Sequence, residues 1–212
     1  KINRSKIIGQ YGVARMDTLY IHIICGAISL LTGTVVMFKK KGDHLHKKIG
    51  AVFFYTLTIS SLASIPITYS KSNYFLFLIS IFTLFMLLTG KRYINKKSIK
   101  DVNFMDWLLT ILMCLGALGF IIYAILLFIS GKTFGIVLLV LGFIGILFAF
   151  QDYRNYKGLS KIKNWQVTTH IQRMVGGFIA SSTAFLVVNN KWLPNEVGWL
   201  LPTVLMVPLI IK

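Results

Sequence analysis

Stretches of about 20 residues almost free of charge recur along this chain, and they constrain it more than any other feature. Hydrocarbon offers the backbone no water, so such a stretch is stable there only as a helix crossing a core about 30 Å thick. Seven segments read as spans, at about 18–38, 49–69, 73–90, 104–129, 133–151, 166–188 and 197–211. The last is short and is interrupted by Pro202 and Pro208. Composition agrees: of 212 residues 56% are hydrophobic and 14% charged, and mean hydropathy is +0.72, against a soluble norm of about 45–50% and 25%. A disordered tail, a collagen-like fibre, a small disulfide scaffold and an ordinary soluble enzyme are excluded. The expected fold class is all-α, a polytopic integral membrane bundle of seven transmembrane helices forming one membrane domain over 1–212. Trp107, Trp165, Trp192 and Trp199 fall near predicted span ends, where an amphipathic ring prefers to lie.

The formal charge of +17 would suggest nucleic acid in a soluble domain. Here the basic residues sit in short loops between spans, so nucleic acid is not the expected partner; a bilayer with anionic headgroups is. Lys39, Lys40, Lys41, Lys47 and Lys48 lie between spans one and two, and Lys91, Arg92, Lys96, Lys97 and Lys100 between three and four. Arg154, Lys157, Lys161 and Lys163 follow between five and six, whereas the opposite loops carry only Lys71, Lys132 and Lys191. That asymmetry places the N-terminus outside, Lys212 inside, and the protein in the cytoplasmic membrane. Lys1, Arg4, Lys6 and Arg15 dissent, and a trimmed N-terminus or an interfacial amphipathic start would explain them. No removable secretory signal is evident, and Cys25 and Cys114, inside apolar stretches, form no CxxC pair.

Helices in lipid associate by close backbone approach, so small residues mark packing faces. His22, Gly26, Ser29 and Gly33 share a stripe in span one, as do His170, Arg173, Gly177, Ser181 and Ala184 in span six. Gly116 and Gly119, then Gly135, Gly142 and Gly145, suggest further close approaches in spans four and five.

Ionisable residues inside spans are costly and face the bundle interior or a wet cavity. The threading puts His46, His170, Arg173, Asp106 and Asp152 toward the cytoplasmic side, with His22 near the opposite surface beside Asp17. Three chemistries use the inner set. Haem would need two imidazoles at similar depth, and His46 with His170 is the pair this threading allows. A transition metal would take the imidazoles of His46 and His170 with a carboxylate from Asp106 or Asp152, although no HExxH or HxxxH spacing supports it. Proton-linked handling of a small solute would use a histidine that titrates near neutrality and Arg173 as an anion hold. Against all three stands packing alone, with Arg173 paired to Asp152 or Asp106 to set helix register in a non-catalytic interaction protein. No phosphate-binding GxxxxGK[ST] loop, acyl-transfer GxSxG elbow or GxGxxG turn is present.

The stretch HIICGAISLLTGTVVMFKKKGDHLHKKIGAVFFYTL, His22 to Leu57, carries H-x3-G-x6-G and then K-K-G-x3-H-x3-G-x2-F. With HIQRMVGGFIASSTAFLVVN from His170 and WLLPTVLMVPLI from Trp199, it resembles a bacterial predicted-membrane-protein family, the domain of unknown function twenty-three-oh-six. The resemblance implies a short, multi-span, all-helical membrane protein and supports a seventh span. The family's recurring positions fall on His22, Gly26, Gly33, Lys41, Gly42, His46, Gly50 and His170, and the family brings no established reaction. The expected site is thus His46, His170 and Arg173 holding a metal, haem or other small-molecule ligand, with Asp106 and Asp152 in support and His22 with Asp17 as a second, outer polar point.

Overall fold

The computed structural model describes the backbone of residues 4–211 and the side chains of 16–194 and 196–208. Seven α-helices follow one another: α1 (Arg4–Phe38), α2 (His44–Ser70), α3 (Tyr74–Ile94), α4 (Phe104–Ile129), α5 (Gly135–Tyr156), α6 (Trp165–Asn189) and α7 (Asn195–Ile211). A single 3-10 turn, Ile99–Asp101, precedes α4, and no strand occurs among the described residues. The basic N-terminal side chains Lys1, Arg4, Lys6 and Arg15 lie outside the described ones.

Among the described residues six helices are long and apolar enough to cross a membrane: Met16–Phe38, His44–Ser70, Tyr74–Ile94, Phe104–Ile129, Gly135–Tyr156 and Trp165–Asn189. The seventh segment is shorter. Its 17 residues rise only about 26 Å at 1.5 Å each, and its apolar stretch is Glu196–Pro208. Helix α4 shows what surrounds these helices. Asp106, Thr110, Met113, Ala117, Phe120 and Ala124 are its buried stripe at helical spacing. The opposite face is also apolar, with Leu115 and Ile122 each 59% exposed. Apolar side chains on a helix's outward face suit lipid, not water.

Side-chain caps set where α2 and α4 begin. Asp43 starts α2 at His44 by accepting the His46 backbone N–H at 2.6 Å. Before α4, the Asn103 side chain accepts from Met105 N while Asp106 accepts from Asn103 N, a capping box. His46 therefore sits within α2, and Asp152 sits within α5, which continues to Tyr156.

The chain divides into two compact units, Lys1–Leu84 and Phe85–Lys212. In the first, α1 and α2 form an antiparallel hairpin: His22 lies against Ser60, and a side chain at Gly50 would meet Val36. The stripe read from span one faces α2, with Ser29 fully buried and Gly26 at the Ser60 hydroxyl. Ser64 donates to Ser80 at 2.7 Å, joining α2 to the first part of α3.

In the second unit α4 and α5 pair, and α6 packs on α7. A Cβ at Gly142 would stand 2.7 Å from Ile121 and 3.0 Å from the Ala117 carbonyl, so only glycine permits this crossing. Gly135 is similarly close to the Ala124 carbonyl. Gly116 and Gly119 depart from expectation, because nothing lies within 4 Å of the space their side chains would fill. Gly90, which the sequence did not single out, is where α3 meets α6: a Cβ there would be 2.9 Å from the Cβ of Arg173.

Candidate functional site

The second unit buries a polar cluster between α3, α4, α5 and α6. Asp152 of α5 and Arg173 of α6 are both fully buried and pair at 2.8 Å. The Asp152 carboxylate also accepts from the Tyr93 hydroxyl at 2.6 Å and from the Thr110 hydroxyl at 3.2 Å. Asn155 extends the network, donating its amide to Thr169 at 3.1 Å. A carboxylate with three donors, one of them a guanidinium, is compensated in the way a buried charge requires.

Arg173 is less well served than its partner. Its Nη2 donates to Asp152 and to the Phe148 carbonyl at 3.0 Å, while Nε and Nη1 have no hydrogen-bond partner among the described residues. The Phe148 ring lies 3.8 Å from the guanidinium carbon and the Phe85 ring 5.6 Å. Ring faces attract the cation, but they do not accept its in-plane N–H groups as a carboxylate or carbonyl does.

Nearer the end of α3, Asp106 accepts from Arg92 Nε at 2.7 Å and from Lys96 Nζ at 2.6 Å. Lys96 is itself buried and lies over the rings of Tyr93 and Tyr156, so an aromatic and basic cluster closes this end of the unit.

These contacts redirect the metal expectation. Both Asp106 oxygens and both Asp152 oxygens already accept protein donors, and among the described residues no group of three or more His, Cys, Asp or Glu is placed to hold a metal ion. A carboxylate neutralised by lysine or arginine has little left to offer a cation. The roles of Asp106 and Asp152 are to cap α4 and anchor a cation cluster in one case, and to hold Arg173 in the other.

His170 presents Nδ1 to the Gly90 carbonyl at 2.8 Å, one turn before Arg173. His46 belongs to the first unit, where its Nδ1 is buried with no hydrogen-bond partner among the described residues; His170 belongs to the second. His22, also in the first unit, has Nδ1 within 2.9 Å of the Ser60 carbonyl and 3.0 Å of its hydroxyl. Asp17 is exposed, and no bond joins it to His22.

Two residues that the expected resemblance singled out do plainly structural work. Lys41 Nζ donates to the Met37 carbonyl at the end of α1, and Gly42 turns the chain at φ +82°. Sequence reasoning missed Tyr93, Asn155 and Thr110, each of which reads alone as an interfacial ring or a packing residue. The Asn103-x-x-Asp106 spacing before an apolar run was the one signal that could have assigned Asp106 to a cap.

Fold and cluster together define a class: an all-helical protein with membrane-crossing helices and a buried charge pair among them. No protein-family model, no curated protein and no solved structure matches the chain.

Proposed function

We propose that this chain is a seven-span protein of the cytoplasmic membrane, N-terminus outside and C-terminus inside, whose second unit binds a small anionic ligand on Arg173. One observation carries the ligand: a guanidinium with no accessible surface keeps Nε and Nη1 without a partner among the described residues. A buried donor without an acceptor costs about 1–3 kcal/mol, and more on a charged group. Arg173 has no accessible surface, so a carboxylate or phosphate reaches those donors only when the side chains packed on it open; it then satisfies them with charge-assisted bonds. The basic residues near the start of α4 and the end of α5 favour the cytoplasmic side for this end of the unit.

The test is thermal unfolding of the purified protein with acetate, succinate, citrate and inorganic phosphate. At least one should raise Tm saturably, by an increment equivalent to about 2.7 kcal/mol at a hundred times its Kd. The rise should vanish in Arg173→Gln and persist in Lys100→Gln. A wild-type protein unmoved by every anion, or a rise that survives in Arg173→Gln, contradicts the reading. Uptake of the same anion into proteoliposomes against a pH gradient would make it a transported substrate rather than a resident ligand.

A second reading, haem binding on His170, draws on its Nδ1 contact with the Gly90 carbonyl. An imidazole whose Nδ1–H donates to a backbone carbonyl carries its lone pair on Nε2, the tautomer that suits iron ligation. Bound haem would supply one-electron chemistry. A Soret band in the purified protein, lost in His170→Ala, supports it; a colourless protein contradicts it.

A further inference from the structure

A groove of about 500 Å³ opens beside the end of α5, bordered by the α5–α6 loop and by Gln172 of α6. Its lining changes character along its length. Arg154 with Ser160 and Lys161 forms one part, while Leu147 and Phe150 belong to the apolar run of α5. At 1.5 Å per residue, Leu147 lies about 14 Å along the helix from Tyr156. Leu147 is 49% and Phe150 57% exposed.

Two cations at the mouth have no acidic partner among the described residues. The ion pairs there engage Arg92, Lys96 and Arg173, not Arg154 or Lys161. Arg154 is steadied instead by the Leu159 carbonyl at 3.3 Å and the Phe150 ring at 6.0 Å. Along the wall, the Gln151 side-chain amide donates to the Gln172 side-chain carbonyl at 2.7 Å and ties α5 to α6.

We propose that this groove is a binding site for an anionic phospholipid, with its phosphate at Arg154, Ser160 and Lys161 and an acyl chain along Leu147 and Phe150. The cationic-to-apolar order matches a lipid's own polarity from headgroup to tail, and the charge at the mouth is complementary to a phosphodiester. A free soluble anion would use the mouth and leave the apolar length bare. The proposal rests on α5 crossing the membrane and not on the Arg173 ligand.

Native mass spectrometry of the protein from mixed phosphatidylglycerol and phosphatidylcholine nanodiscs tests it. The wild type should retain phosphatidylglycerol preferentially. Arg154→Gln/Lys161→Gln should lose about 30-fold of that preference, equivalent to about 2 kcal/mol for two headgroup-facing charges. The charge-matched control Lys97→Gln/Lys100→Gln, in another exposed loop, should keep it. Three results would overturn the proposal: no preference in the wild type, an equal loss in the control pair, or displacement of the lipid by inorganic phosphate alone. Thermal unfolding of each variant reports whether it is folded.

Discussion

Removing either partner of the Arg173–Asp152 pair leaves the other as an uncompensated charge with no accessible surface. Such losses run to about 3–5 kcal/mol, whereas replacing both partners by apolar side chains of similar volume is often neutral. Asp152→Ala and Arg173→Ala should therefore each destabilise strongly, while Arg173→Met/Asp152→Leu recovers most of the loss; equilibrium unfolding in mild detergent measures the cycle. Additive losses in the double variant would mean that the pair is not coupled. Tyr93→Phe removes one donor to the same carboxylate and should cost about 1.5–3 kcal/mol. At this scale the pair was half legible. Arg173 needed an acid, and two lay near it along the threading. Which of them it takes depends on helix rotation, and the choice falls on Asp152 because Asp106 is already claimed by Arg92, Lys96 and the α4 cap.

Helix crossings separate glycines that the sequence treats alike. Gly142→Ala would press a methyl onto Ile121 and the Ala117 carbonyl and should destabilise by about 1–3 kcal/mol. Gly116→Ala meets nothing and should be neutral or gain about 1 kcal/mol from helix propensity. Unfolding of the two single variants side by side distinguishes them. Spacing alone could not, because α4 is apolar on both faces and no polar face marks its outside. Loop elements carry their own signature. The backbone N–H groups of Lys97 and Ser98 donate to the Asp101 carboxylate at 2.7 and 3.0 Å and hold it below the usual carboxylate range. A depressed folded value means the turn's stabilisation is fully present above the unfolded pKa and is lost as pH falls through the folded one. Amide hydrogen exchange at residues 97–103 should therefore quicken on acidification beyond the intrinsic rate change, and Asp101→Asn should abolish that dependence. A pH-independent protection in the wild type would contradict it.

For the whole molecule, the all-helical class and six of the seven expected spans follow directly from apolar runs, since length and hydropathy are properties of the chain itself. Orientation and the seventh span rest on loop charge and on a Pro-interrupted helix. Single cysteines at positions 100 and 161 should label only from the cytoplasmic side of sealed vesicles, and those at 71 and 132 only from outside; the reverse pattern would invert the threading. The proposed juxtaposition of positions 46 and 170 came from depth alone, which says how far along a helix a residue lies but not toward which neighbour it turns. What the buried cluster adds is a guanidinium whose Nε and Nη1 have no acceptor among the described residues. A high-resolution map of protein purified from native membranes tests that claim most directly. Density not belonging to the chain, within about 3 Å of Arg173 Nε or Nη1, is the result expected of charge-assisted bonds to an anion. A map in which protein carbonyls or hydroxyls satisfy both nitrogens would contradict the account.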